Sequence, residues 1–189
     1  MPDPGWWEAL FPDPAGVLTS VGLTHGSVAV DLCSGDGWFT LQMARIARRV
    51  IAVDIDAHML EVNRARLLES GVTNCEFCAG DAYDLPEMVS EPADFVFLAN
   101  AFHGVPNRLI LASAIHATLK PGGLLSIVNW HQRPREETKI LGEPRGPATE
   151  LRMSPAQTIE SVQPSGFSVT RIVEILPYHY GAMFQKPGH

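Results

Sequence analysis

Short apolar runs alternate with segments of helical period along most of this chain of 189 residues. Between the first two apolar runs, Phe39, Met43 and Ile46 recur at the three-to-four-residue spacing of a helix that buries one face. Several runs are apolar almost throughout, which is typical of strands covered on both faces of a parallel sheet. The alternation therefore predicts a doubly wound α/β fold, built as a single domain over residues 1–189.

The last two strand-like segments break this alternation. Only Pro177 separates FSVTRIVEIL from YHYGAMFQK, so there is no room for a crossover helix between them. Strands with so short a connection pair antiparallel rather than parallel. We therefore expect the final two strands to form an antiparallel pair.

The overall charge and hydropathy of the chain bear on its partners. The net charge is −7 at neutral pH, whereas nucleic-acid-binding proteins usually present a basic face to phosphates. We therefore expect no nucleic-acid partner. No apolar run reaches the roughly 18 residues that cross a bilayer, and the N-terminus lacks a signal-peptide pattern, so we expect no membrane partner and a cytoplasmic location.

The cysteines do not predict a metal or redox site. Cys75 and Cys78 have CxxC spacing, but they lie in a strand-like segment. Residues three apart on a strand point to opposite faces. We interpret them as small strand residues and expect no metal.

A glycine-rich turn follows the first apolar run, in the segment DLCSGDGWF. Gly35 and Gly37 permit close approach of a ligand, and the helix that follows offers free N–H groups to an anion. A dinucleotide fingerprint would have a third glycine where Thr40 stands, and a Walker loop would have a lysine that is missing here. The charge of Asp31 would also repel phosphates. A ligand with an ammonium group and a carboxylate fits this turn better.

Two further acids end the next two strands. Asp54 lies 23 residues after Asp31, near the spacing at which a carboxylate accepts ribose hydroxyls. Asp81 is placed to accept from an exocyclic amine, while the N–H of Ala82 can donate to a ring nitrogen. Each acid alone could simply cap a helix or a turn, as we expect of Asp56. Three at consecutive strand ends favour a ligand with ammonium, carboxylate, ribose and adenine groups, which describes S-adenosylmethionine.

Five segments resemble, in order, the motifs of class I S-adenosylmethionine-dependent methyltransferases. They are VAVDLCSGDG, VIAVDID, CAGDAYDLP, DFVFLANAFH and LKPGGLLSIV, within roughly residues 14 to 130. The resemblance implies a Rossmann-like, seven-stranded sheet of order 3-2-1-4-5-7-6 with strand 7 antiparallel. It also implies a set of cofactor-binding residues: Asp31, Cys33, Gly35, Gly37, Asp54, Ile55, Asp81, Ala82 and Asn100. The family commonly has glycine at position 33, so Cys33 is a departure; we interpret it as a packing substitution, the alternative being a methylated or catalytic thiol.

The acceptor side is expected where the fourth and fifth strands end. His103 is the candidate catalytic base, the alternative being a polar residue that closes the pocket; His131 is a weaker candidate. Residues 131–153 form a long segment without clear period, which we interpret as a lid or substrate loop, or else as a solvated loop. This segment is slightly basic and would suit an anionic acceptor. Trp6 and Trp7 are candidates to pack over the cleft.

The sequence thus predicts an enzyme that transfers a methyl group from S-adenosylmethionine to a small-molecule acceptor by in-line displacement. The principal alternative is a non-catalytic protein that binds S-adenosylmethionine or a related nucleoside. A pocket preserved beside His103 would favour the enzyme, and a pocket plugged by Trp6, Trp7 or the lid would favour the binder. A nucleic-acid methyltransferase and a nicotinamide-dependent oxidoreductase fit less well, because NAFH replaces the amine-directed motif and the glycine pattern fails.

Overall fold

The computed structural model describes residues 4–188, and its main feature is one mixed sheet of seven strands. Residues 4–188 contain nine strands: β1 (Val28–Leu32), β2 (Arg49–Asp54), β3 (Cys75–Ala79), β4 (Ala93–Ala99), β5 (Leu119–Trp130), β6 (Lys139–Ile140), β7 (Glu143–Pro144), β8 (Ser168–Ile175) and β9 (His179–Gln185). The order is β3-β2-β1-β4-β5-β9-β8, while β6 and β7 form a separate two-residue hairpin. Without that hairpin the order is the expected 3-2-1-4-5-7-6. The first five strands pair in parallel, and β9 is antiparallel to both of its neighbours, as predicted.

Seven α-helices connect and cover these strands. They are α1 (Pro4–Leu10), α2 (Pro14–Ser20), α3 (Trp38–Ile46), α4 (Ala57–Glu69), α5 (Leu85–Met88), α6 (Arg108–Thr118) and α7 (Pro155–Val162). The side chains of Asp13, Asp56 and Ser154 cap α2, α4 and α7, as their sequences indicate. Within residues 4–188, no helix is both long and apolar enough to span a membrane.

Two apolar clusters cover the two faces of the sheet. Within β1, Val28 and Val30 belong to the cluster that includes α6, while Ala29 belongs to the cluster that includes α2 and α3. Burial on both faces explains why this strand is apolar throughout. Cys78 packs against the first cluster and Cys75 against the second, which confirms that they point to opposite faces.

We did not predict α1 from the sequence: Pro4 is a helix-start signal, but Gly5 follows it and the helix has only seven residues. Tertiary packing holds it instead. Trp6 and Leu10 are buried in the second cluster, and Trp7 packs against that cluster. The helix thereby lies beside the carboxyl ends of the strands, where it contacts β6.

Candidate functional site

The turn after β1 folds into a cradle that requires glycine at position 37. Gly37 has a φ of 83°, and an added Cβ would lie 2.2 Å from the buried Asn63 Oδ1. Gly35, with a φ of 52°, donates its backbone N–H to Asp54 Oδ2 at 2.8 Å. The carboxylate that ends β2 therefore holds the glycine turn that follows β1.

Cys33 adopts the backbone conformation that glycine would have at this position. Its φ is 59°, a left-handed value that is uncommon for a residue with a side chain. Burial raises the pKa of its thiol to about 12, and the carboxylates of Asp54, Asp31 and Asp81 add to the effect. The thiol therefore stays protonated at neutral pH and is a poor nucleophile, which supports the packing interpretation.

Asp31 is a buried carboxylate in a polar network that the sequence analysis missed. It is 3% exposed and accepts a hydrogen bond from Thr40 Oγ1 at 2.5 Å, and Thr40 Oγ1 accepts in turn from Asn63 Nδ2 at 2.9 Å. Asn63 lies between Leu60 and Leu67 on the buried face of α4. A polar residue at an apolar-face position was the signal that could have identified it.

The pKa of the Asp31 carboxyl is far above its usual value. Burial raises its pKa from 3.8 to about 7; Thr40 opposes this shift, and Asp54 and Asp36 add to it. Among residues 4–188, no cationic side chain forms an ion pair with Asp31. The site is thus prepared for a positive charge that the chain itself does not supply.

The carboxyl ends of β1, β2 and β3 open into a cavity of about 430 Å³, which we call the strand-end cavity. Five predicted cofactor-binding residues line it: Cys33, Asp54, Ile55, Asp81 and Ala82. A volume of this size suits a nucleoside. Nine further lining residues were not predicted: Leu32, Val53, Gly80, Tyr83, Ala101, Gly104, Val105, Pro106 and Leu111.

The carboxylates of Asp54 and Asp81 in this cavity can each accept further hydrogen bonds. Asp54 accepts from the backbone N–H groups of Gly35 and Asp56, one on each oxygen, and Asp81 Oδ1 accepts from the N–H of Tyr83 at 3.0 Å. Each carboxylate oxygen has a second lone pair. Tyr83 Oη accepts from the N–H of Asn107 at 3.0 Å, which joins the loops after β3 and β4 across the cavity.

A second cavity of about 440 Å³ lies on the other side of the loop after β4, and we call it the tryptophan cavity. Nine residues line it: Trp6, Trp7, Asn100, His103, Trp130, Arg135, Arg145, Gly146 and Pro147. Ala101 and Gly104 line the strand-end cavity instead. The segment 100–104 is therefore a wall that the two cavities share.

The predicted site residues lie in three places: the strand-end cavity, the tryptophan cavity, and the end of β1 with its glycine turn. Asn100, with a φ of 57°, lines the tryptophan cavity, and its Oδ1 lies 2.9 Å from Nε2 of the buried His179. Asp31 in β1, and Gly35 and Gly37 in the turn that follows, lie beside the strand-end cavity but are not in its lining.

His103 is held in the tautomer that a base requires. Its Nδ1 lies 3.3 Å from Oδ1 of Asn129, whose Nδ2 contacts the sulfur of Met153, so the assigned amide orientation places the ring proton on Nδ1. Nε2 then keeps its lone pair. Burial lowers the pKa of His103, and Arg108 and Arg152 lower it further against the effect of Asn129, so the ring is neutral at pH 7. His131, the weaker candidate, pairs with Glu174 and does not line the cavity.

Residues 131–153 pack against the domain around a buried arginine. Arg152 is 2% exposed, donates through Nη2 to Thr138 Oγ1 and to the carbonyl oxygen of Arg145, and lies over the ring of Trp130. Its Nε donates to the carbonyl oxygen of Pro147. These contacts anchor a segment whose other residues are mostly exposed, so its interpretation as a lid or as a solvated loop stays a prediction. The sequence placed Arg152 only among the cations of the segment.

Comparisons with known proteins agree with the fold and show the family. The sequence model of the methyltransferase domain family matches residues 29–123. Demethylmenaquinone methyltransferase of Staphylococcus aureus strain JH9 is 28% identical over 119 residues, covering 61% of this chain and 48% of the relative, so the chain spans about half the length of that relative. A solved S-adenosylmethionine-dependent methyltransferase from Aquifex aeolicus is 24% identical, with a TM-score of 0.81 over 97% of this chain and 93% of the other. A second structure, from work on conversion of a disulfide into a thioacetal in echinomycin biosynthesis, is 20% identical with a TM-score of 0.76, over 94% and 82% of the two chains.

Proposed function

Because the chain belongs to the methyltransferase domain family, we propose that it transfers a methyl group from S-adenosylmethionine to a small molecule held in the tryptophan cavity. The observation that carries this proposal is the wall of residues 100–104 between the two cavities. A nucleoside in the strand-end cavity and an acceptor in the tryptophan cavity would meet at this wall. Transfer between two bound molecules requires such proximity above all.

The residues of the strand-end cavity fit the cofactor. Asp54 and Asp81 offer free lone pairs to ribose hydroxyls and to an adenine amine, and Asp31 offers an unpaired buried charge to an ammonium group. The turn around Gly37 packs closely against Asn63 of α4, which fixes the position of the turn beside the cavity. When bound, S-adenosylmethionine would supply a sulfonium methyl group for in-line attack by an acceptor lone pair, with S-adenosylhomocysteine as the leaving group.

His103 is the proposed catalytic residue for an acceptor that carries a proton. Its Nε2 lone pair accepts that proton, while Asn129 fixes the ring through Nδ1. Trp6, Trp7 and the segment 131–153 would act as a lid that excludes water, because all three cover the tryptophan cavity. In this proposal His103 removes the proton, Asn129 positions its ring, and the lid excludes water.

The cavity beside His103 favours catalysis over passive cofactor binding. Trp6 and Trp7 form its wall without filling its volume of about 440 Å³. A small-molecule acceptor is also supported by the name of the Staphylococcus relative, a demethylmenaquinone methyltransferase. The absence of a nucleic-acid partner stays a prediction from net charge alone.

The proposal is tested by measuring release of S-adenosylhomocysteine from S-adenosylmethionine in the presence of candidate acceptors. The panel contains phenols, hydroxylated aromatic acids and thiols in one arm and bulk transfer RNA in the other. We expect turnover with a small molecule, and a large loss of turnover in His103→Gln without loss of cofactor binding by calorimetry. Turnover with RNA alone, or failure of the wild type to bind S-adenosylmethionine, would contradict the proposal.

A further inference from the structure

The walls of the tryptophan cavity are flat and aromatic. Trp6, Trp7 and Trp130 line it, and Trp6 is 8% exposed and Trp130 2% exposed. Rings packed in this way offer apolar faces to another planar group. The cavity therefore suits an aromatic ring better than a flexible or strongly hydrated ligand.

Two of these tryptophans also carry buried N–H groups without a partner. Nε1 of Trp6 and Nε1 of Trp7 are inaccessible to water and form no hydrogen bond within residues 4–188. A buried donor without an acceptor costs free energy. An oxygen-bearing ligand within reach of these groups would provide that acceptor.

The charge at the cavity is opposite to that of the whole chain. Arg135 and Arg145 line the cavity, and the lining includes no aspartate or glutamate, although the chain has a net charge of −7. Within residues 4–188, neither arginine has a carboxylate within 4.0 Å. These two exposed arginines thus line the cavity without a carboxylate partner in the described part of the chain.

The two arginines are held in place by backbone contacts. Arg135 Nε donates to the carbonyl oxygen of Gly146 at 3.1 Å, and Gly146 itself packs against the ring of Trp130. The carbonyl oxygen of Arg145 accepts from the buried Arg152 and from Thr138. The guanidinium of Arg135 is therefore held by a backbone carbonyl, and the backbone at Arg145 belongs to an ordered frame, which lowers the entropic cost of binding an anion.

We propose that the acceptor is a planar aromatic acid, whose ring packs among the tryptophans and whose carboxylate pairs with Arg135 and Arg145. This inference rests on the proposed function, because it names the substrate class of the same cavity. It assigns specificity to the two arginines and proton removal to His103. The competing interpretation is that these arginines bind the carboxylate at the methionine end of the cofactor.

The experiment compares two ligands of the same shape and different charge. Naphthalene-2-carboxylate and naphthalene-2-carboxamide are titrated by calorimetry into the protein alone and into protein saturated with S-adenosylhomocysteine. The variants are the double substitution Arg135→Gln with Arg145→Gln, and the control Arg133→Gln. Arg133 is an exposed arginine of the same segment that does not line the cavity. Urea unfolding midpoints confirm that each variant is folded.

We expect the wild type to bind the carboxylate at least about tenfold more tightly than the amide, the preference of a charge-assisted over a neutral hydrogen bond. The double variant should lose that preference, Arg133→Gln should keep it, and all should bind S-adenosylhomocysteine equally. Equal binding of the two probes by the wild type, or equal loss of preference in the control, would overturn the inference. Loss of S-adenosylhomocysteine affinity in the double variant, with the preference intact, would assign the arginines to the cofactor. Failure of the wild type to bind S-adenosylhomocysteine would count against the proposed function, whereas the titrations into protein alone still test the cavity.

Discussion

The ionisation of Asp31 makes cofactor affinity depend on pH in a defined direction. Its pKa is raised to about 7 by burial, and no cationic side chain in residues 4–188 neutralises it. A ligand ammonium group binds the ionised carboxylate. Affinity should therefore rise as pH increases through the pKa and level off above it.

The size of the effect follows from the ionised fraction. For a pKa of about 7, that fraction is about 3% at pH 5.5 and about 76% at pH 7.5. Affinity for S-adenosylhomocysteine should increase about 25-fold over this range, or about 1.9 kcal/mol. The series stops at pH 7.5 because an α-amino group itself titrates near pH 8.

The assay is calorimetric titration of S-adenosylhomocysteine into wild type and Asp31→Asn. The variant keeps an acceptor for Thr40 but has no charge, so its affinity should be weaker and nearly independent of pH. Any titration of the ligand amine would persist in the variant and is thereby separated. A flat wild-type profile, or the same slope in both proteins, would refute the assignment of Asp31 to the ammonium group.

Stability without ligand should change in the opposite direction. Because the folded-state pKa of Asp31 lies above its unfolded value, its contribution to stability is present below about pH 4 and is lost as pH rises through about 7. Asp31→Asn abolishes this loss and should be more stable than wild type at pH 8, by up to about 4 kcal/mol. Urea unfolding of the wild type and of Asp31→Asn at pH 4 and pH 8 measures this difference in stability. A variant that is less stable than the wild type at pH 8 would contradict the account.

Three further perturbations test the rest of the site. Asp81→Asn should weaken S-adenosylhomocysteine binding by about 10- to 100-fold, the value of a hydrogen bond to a charged group, whereas the exposed Asp84→Asn from the same turn should leave the calorimetric affinity unchanged. His103→Gln should lower kcat by about 10²- to 10⁴-fold and leave cofactor affinity unchanged. In the wild type, kcat should fall only at acid pH, because burial lowers the pKa of His103 and the protonated ring cannot accept a proton. Gly37→Ala should lower the free energy of unfolding by more than Gly26→Ala, because both have a φ of 83° but only Gly37 lies against a buried amide. The strain common to both is about 1–2 kcal/mol, and equal urea midpoints for the two variants would show that the close approach is unimportant.

Most of the sheet could be predicted because its signals are local. Apolar runs covered on both faces, a turn too short for a crossover helix, and the caps at Asp13, Asp56 and Ser154 each depend on a few adjacent residues. The strand-end acids were also predictable. Parallel strands bring their carboxyl ends to one edge, so Asp54 and Asp81 meet at one cavity whatever the rest of the chain does.

The electrostatic state of the site depends on long-range packing instead. Asp31 has the same sequence context as any strand-end acid, but its burial under Thr40 and Asn63 sets its pKa. Cys33 is likewise an ordinary residue in the sequence, and the left-handed conformation at its position is visible only in the folded turn.

The tryptophan cavity joins parts of the chain with no periodic relation in sequence. Trp6 and Trp7 come from a short helix that we did not predict, and Arg135 and Arg145 come from a segment without clear period. Arg152, more than a hundred residues from α1, organises that segment through buried hydrogen bonds. Pattern reasoning detects structure that repeats along the chain, whereas this cavity exists because two irregular segments fold over one edge of the sheet.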